Sequence, residues 1–275
     1  MAIRPDNART AVSKLSQNNL DGGHPRMVPL PIRLVRRATG STSPPFRGMA
    51  QLERGPAIDI LMLAKQKGGV GASTLAREIG VLAASEGQRV VFIDLDPQAS
   101  LSKWWNRRTA DMTGRPNPAL ASPPPQQLLG ALARLRETDD ADLVIVDVPP
   151  SVHSYLLGVM RAADFILVPC RPTSDDFEAL PEIVEMIEQS ARRYAFVITQ
   201  APTGRRIRSV EDAVPILARQ GRVAGVLRFR VTFPTAAAAG QTTTEFEPDG
   251  KAAAEIRELW GFVSGELKKT HRVAA

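Results

Sequence analysis

Lys65-Gln66-Lys67-Gly68-Gly69-Val70-Gly71-Ala72-Ser73-Thr74 is the stretch that decides the fold. The residues before it, Ile58-Asp59-Ile60-Leu61-Met62-Leu63-Ala64, are apolar and β-prone, and those from Ser73 to Glu86 have helical composition. Strand, glycine loop and helix, in that order, make a phosphate cradle. Glycines let the backbone curl so that successive N–H groups point inward at anionic oxygens. The following helix adds the positive end of its dipole. Ser73 stands where a hydroxyl would ligate Mg²⁺. The usual motif ends Gly-Lys-Ser/Thr, whereas this one ends Gly71-Ala72-Ser73.

Working outward, strand-like and helix-like segments alternate from residue 57 onward. Strands are expected at 58–64, 89–94, 143–147, 165–169, 194–200 and 223–227. Helices are expected at 73–86, 126–137, 154–162, 176–192, 209–220 and 250–264. Unbroken apolar strands such as Val90-Val91-Phe92-Ile93 are those of a sheet buried on both faces. The expected fold is therefore α/β, a doubly wound, mostly parallel sheet with helices on both faces. Ligand loops then fall at the carboxyl ends of the strands. The proline-rich segment 109–125 is expected to be an irregular, mobile connection.

Three acids fall where that geometry uses them. Asp94 and Asp96 close the second strand, and alternation sends both to the same side. Asp147 closes the apolar run Leu143-Val144-Ile145-Val146. Carboxylates at strand ends can support Mg²⁺ or orient an attacking water.

Composition narrows the class. The 275 residues are 43% hydrophobic, enough for one sizeable domain. A single cysteine, Cys170, excludes a disulfide framework and fits a reducing, cytoplasmic setting. No apolar run reaches the roughly 18 residues of a membrane span. Residues 1–56 hold nine basic and three acidic residues, which accounts for the whole net charge of +6. With seven prolines and little periodicity, they are expected to form a disordered basic arm, either a weak nucleic-acid tether or a passive tail. Residues 57–275 form the expected nucleotide-binding domain.

From about 57 to 264 the chain resembles the ParA/MinD ATPases, and more closely the plasmid and chromosome partition ParA branch. The resemblance rests on Lys-Gly-Gly-Val-Gly-x-Ser-Thr at 67–74, Phe92-Ile93-Asp94-Leu95-Asp96-Pro97-Gln98, and Asp147-Val148-Pro149-Pro150-Ser151. Ala162-Ala163-Asp164-Phe165-Ile166-Leu167-Val168-Pro169 and Glu247-Pro248-Asp249-Gly250-Lys251 also fit. It implies ATP and Mg as cofactors, with Gly68, Gly69, Val70, Gly71, Ala72, Ser73 and Thr74 around the phosphates. Ser73, Asp94 and Asp147 would support the metal, and Asp96 would position water for hydrolysis. Lys67 would reach the other subunit's nucleotide across an ATP-dependent sandwich homodimer. Thr199 and Pro202 fall at the base-reading segment, where the resemblance leads one to expect an asparagine instead of Thr199. The implied partners are nonspecific DNA and a ParB-like stimulating protein, with no membrane, which places the chain at the nucleoid.

The departure at residue 72, and the last helix, leave alternatives open. Ala72 replaces the lysine that cradles the β- and γ-phosphates, so a non-hydrolysing regulator or scaffold stands beside the hydrolysing switch. A MinD-like membrane-positioning ATPase is a third reading, opposed by Glu255, Glu258 and Glu266 in the last helix, where a core-packing role is expected. Arg205, Arg206, Arg208, Arg228 and Arg230 are the candidate DNA contacts, weighed against a merely solvated charged face. Trp104 and Trp105 are expected to pack rather than stack on bases, and Cys170 and His153 to carry no chemistry.

Overall fold

The computed structural model describes residues 58–150, 155–203 and 208–273. The basic arm, His153, Arg205 and Arg206 lie outside the described residues.

Five strands follow apolar runs closely: β1 (Asp59–Leu63), β2 (Val90–Asp94), β4 (Leu143–Asp147), β5 (Phe165–Cys170) and β6 (Tyr194–Ala201). With β3 (Ala119–Ala121) and β7 (Arg222–Arg228) they form one parallel sheet in the order β3-β2-β4-β1-β5-β6-β7. Alternation along each strand builds two cores. Ile60, Met62, Val144, Val146, Ile166 and Val168 face α3 (Leu128–Thr138), α4 (Leu156–Ala162), α5 (Ser174–Ser190) and α6 (Arg208–Ala218). Leu61, Leu63, Leu143, Ile145, Phe165 and Leu167 face α1 (Ala72–Ser85), α2 (Ser100–Thr109) and α9 (Lys251–Val273). Helices thus cover both faces, as the doubly wound expectation requires.

Segment 109–125 departs from the expected irregular connection. Within it β3 pairs in parallel with β2, Val91 opposite Ala119 and Ile93 opposite Ala121. Asn117 bridges the two segments: its Oδ1 accepts from Val90 N at 2.9 Å, and its Nδ2 donates to Gln88 O at 2.8 Å. Proline is compatible with the start of an edge strand, so Pro118 does not prevent the pairing. Three further helices were not expected: α2, α7 (Thr232–Ala238) and α8 (Thr243–Phe246). The last helix runs to Val273, beyond the expected 264, because Leu267 continues the buried stripe of Ile256, Leu259, Trp260 and Val263. That stripe packs on the sheet, as the core-packing reading had it. Among the described residues, no helix is long and apolar enough to cross a membrane.

Trp104 is fully buried, edge-on to Phe92 at 6.4 Å, and Trp105 donates its indole N–H to Pro118 O at 2.9 Å. Both pack. Cys170 is buried and its thiol is pushed up to about 12 by burial first and by Asp176 second, so it carries no thiolate at neutral pH.

Candidate nucleotide site

The glycine loop joins β1 to the first turn of α1. Gly69 (φ +76°) and Gly71 (φ +87°) adopt left-handed backbone that only glycine takes without strain. The next helical turn begins at once, with Leu75 N donating to Gly71 O at 2.9 Å. Nothing lies within 4 Å of a Cβ built on Gly68 or Gly69, so this part of the loop is open to a ligand.

The end of β6 holds the loop from behind. Thr199 Oγ1 donates to Val70 O at 2.7 Å, and Gln200 Nε2 donates to Gly69 O at 2.6 Å. Thr199 is buried, and its hydroxyl is committed to the loop backbone. Its methyl lies 3.9 Å from a Cβ built on Gly71. Pro202 follows β6 directly and is half-buried.

The three acids converge beneath the loop. Adjacent parallel strands place Asp94 opposite Asp147, and Leu63 opposite Asp147 on the other side. Ser73 Oγ donates to Asp147 Oδ2 at 2.5 Å. Asp94 accepts from Asp96 N at 3.2 Å, Ser102 N at 2.9 Å and Ser102 Oγ at 2.8 Å. Between Asp96 and Asp147 sits a lysine that the sequence reading did not single out. Lys65 Nζ lies 2.9 Å from Asp96 Oδ2 and 2.8 Å from Asp147 Oδ1, with its side chain 4% exposed. Burial alone would lower the Lys65 pKa, but Asp147 and Asp96 outweigh it and hold the ammonium above its ordinary value. Burial pushes the Asp147 carboxyl up against the opposing contacts from Lys65 and Ser73. A signal for Lys65 was available: a lysine placed directly after an apolar strand, in a loop whose usual lysine is missing.

Lys67 is half-buried and donates to Asp175 O, at the first turn of α5, at 2.5 Å. Ala72 is 3% exposed and packs with the second core, so no cation emerges from that position.

Beside the loop opens a cleft of about 280 Å³. It is lined by Gly71, Thr74, Arg77, Thr199, Phe229, Arg230 and Phe233 among others. A cradle for phosphates therefore adjoins a partly aromatic slot sized for a small ligand. The Nε atoms of Arg77 and Arg230 are buried there without hydrogen-bond partners. Arg228 and Arg230 both pair with Glu255, at 3.1 and 2.7 Å. Burial pushes Glu255 up, but hydrogen bonds from Arg230 and Arg228 outweigh it and hold the carboxyl below its usual value. Arg208 lies in α6, apart from this cluster in sequence.

Hard oxygen donors are what magnesium takes, and Ser73, Asp94 and Asp147 supply them side by side, so the donor chemistry fits. Among the described residues, however, no group of three or more carboxylate, histidine or cysteine side chains is arranged to hold a metal ion by itself. Any ion there shares Asp147 with the Lys65 ammonium.

Residues 61–243 match the CobQ/CobB/MinD/ParA nucleotide binding domain family. The chain is 30% identical to the maintenance of carboxysome distribution protein A of Halothiobacillus neapolitanus over 212 residues, 72% of this chain and 93% of that protein. It is 29% identical to the chromosome-partitioning ATPase Soj of Thermus thermophilus over 152 residues, 47% of this chain and 61% of that one. With the carboxysome distribution protein A of Gloeobacter kilaueensis it shares 35% identity over 130 residues, 46% of this chain and 55% of the relative. Similar folds include the MinC:MinD cell division protein complex of Aquifex aeolicus, at 16% identity and a TM-score of 0.62, covering 75% of this chain and 96% of that one. Apo McdA of Cyanthece superposes at 18% identity with a TM-score of 0.59, covering 76% and 99%. Together with the parallel sheet and the glycine loop, these matches show that the chain belongs to the CobQ/CobB/MinD/ParA nucleotide-binding domain family, as a ParA/MinD-type ATPase fold.

Proposed function

We propose that this chain is an ATP-gated dimeric switch that rides on DNA and positions a large cargo. The cargo would be a plasmid, a chromosome region or a carboxysome-like body, since relatives of each kind are similar to it. The observation that carries this reading is the open glycine loop, set over Asp94, Asp96 and Asp147 and adjoining the cleft of Thr74, Thr199 and Phe229.

In this reading the loop N–H groups from Gly68 to Thr74 and the start of α1 bind the phosphates. The base enters the cleft beside Thr199 and Pro202. Ser73, Asp94 and Asp147 would hold magnesium, which when bound supplies positive charge against the phosphates. Lys67, free of the core, swings from Asp175 O to the nucleotide of a second copy. Asp96 positions the water for hydrolysis. Arg205, Arg206, Arg208, Arg228 and Arg230 contact DNA phosphates without reading sequence, and a ParB-like partner stimulates turnover. The site of action is the nucleoid in the cytoplasm.

Light scattering with and without ATP and magnesium, followed by duplex binding, tests this. A dimer and DNA binding that appear only with ATP are the expected result. A monomer that ignores saturating ATP defeats it.

A second reading has specific support. Ala72 supplies no phosphate contact, and Asp96 Oδ2 is already paired with Lys65. A chain that binds ATP and dimerises but does not turn it over would be a regulator or scaffold, and a single-turnover assay separates the two.

A further inference from the structure

The floor beneath the glycine loop is acidic. Asp94 stands opposite Asp147 at the ends of neighbouring strands, and Asp96 lies two residues further on. A phosphate chain entering the loop is repelled by these carboxylates, and Ala72 offers it no charge. Lys67 is engaged with Asp175 O on α5. The ammonium already under the loop is that of Lys65, 2.9 Å from Asp96 Oδ2 and 2.8 Å from Asp147 Oδ1. The other oxygen of Asp147 accepts from Ser73 Oγ at 2.5 Å, so a single carboxylate separates the ammonium from the first turn of α1.

We propose that Lys65 replaces the missing loop lysine: when a nucleoside triphosphate binds, its ammonium moves from Asp96 and Asp147 to the terminal phosphate, in company with magnesium at Ser73, Asp94 and Asp147. The inference rests on the nucleotide reading above. One ammonium cannot offset three carboxylates and a phosphate chain, so Lys65 adds to the charge of the metal and does not replace it. A lysine carries three donors on a flexible stem. Two engage the acids here, so the third can take a phosphate oxygen before the stem follows. The pairing with Asp96 sets the ammonium at the end of the phosphate chain where that acid would orient water, which is the terminal phosphate. Departure of the ammonium then frees Asp96 Oδ2 for that water. Arrival of the terminal phosphate and release of Asp96 become one event, and a chain with Ala72 keeps a route to turnover.

Titration calorimetry on the full chain in excess magnesium tests the idea, with ADP and with the β,γ-imido analogue of ATP, which is not hydrolysed. Lys65→Ala should bind the analogue at least roughly tenfold more weakly, as loss of a charge-assisted contact would. Its affinity for ADP, which lacks the terminal phosphate, should stay within about threefold of the unmodified chain. A merely structural lysine would weaken both ligands alike. Equal losses, or no loss for the analogue, overturn the proposal. If the unmodified chain binds neither ligand, the nucleotide reading itself fails and the inference falls with it. Melting curves show which variants fold. Lys65→Gln keeps two N–H donors for the acids but no charge, and it is judged by the same outcomes if Lys65→Ala does not fold.

Discussion

Lys65 and Asp147 form a buried ion pair, with Nζ 2.8 Å from Oδ1 and side chains 4% and 0% exposed. Strand register explains it. Leu63, the last residue of β1, pairs with Asp147 at the end of β4, so Lys65, two residues beyond the strand, reaches that carboxylate. Removing one partner of such a pair strands the other charge in the interior. Lys65→Ala should therefore destabilise the fold by about 3–5 kcal/mol, read from urea midpoints. A loss under about 1 kcal/mol would mean that water reaches the pair.

Ala72→Lys should tighten ATP binding by about tenfold, as a recovered charge-assisted contact of about 1.5–3 kcal/mol would. Calorimetry on both forms checks it. Equal affinities would show that a lysine at residue 72 does not reach the phosphates.

Lys67→Ala should abolish ATP-dependent dimerisation and leave the melting temperature nearly unchanged. The residue sits on an open loop, where its ammonium donates to the exposed Asp175 carbonyl near the Asp176 carboxylate. Light scattering and a thermal melt on the same sample read both. Persistence of the dimer would place its interface elsewhere.

Arg228→Ala with Arg230→Ala should weaken duplex binding equally across unrelated sequences and reduce the salt slope by roughly two. Both arginines now share Glu255, so Glu255→Gln should strengthen binding by freeing them. If the double variant binds DNA normally but loses ATP, the two arginines serve the cleft they line rather than DNA.

Glu78 should give the fold a pH dependence. It is fully buried, with Oε2 accepting from Thr243 N at 2.9 Å and Thr243 Oγ1 at 2.7 Å, while Oε1 accepts no hydrogen bond and faces Arg77 Nε at 3.9 Å. Burial pushes its carboxyl from 4.5 up to about 7, against the Thr243 hydrogen bonds. Between those values the folded chain keeps the proton and the unfolded chain has released it. Stability therefore falls as pH rises through that window and levels off above about 7. Urea midpoints at pH 5 and 8 should converge in Glu78→Gln relative to the unmodified chain. The lost slope is at most about 3 kcal/mol. An unchanged slope would place the titration elsewhere.

What the chain's order determined by itself was local. Apolar runs closed by Asp94 and Asp147, a glycine loop with residues that must go left-handed, and helices between the strands are nearest-neighbour features. They were enough to reach a doubly wound parallel sheet and the side on which its ligand loops lie. The short strand Ala119–Ala121 escaped because three residues among prolines carry no periodicity, and only pairing with β2 defines them. The site's chemistry also lay beyond the sequence. Lys65 meets a carboxylate 82 residues away, Thr199 turns its hydroxyl to a carbonyl 129 residues away, and Arg228 finds Glu255 on α9. Strand register and the packing of helices on the sheet bring these groups together. Neither leaves a local trace in the order of residues, so the fold was legible there and the placement of charge was not.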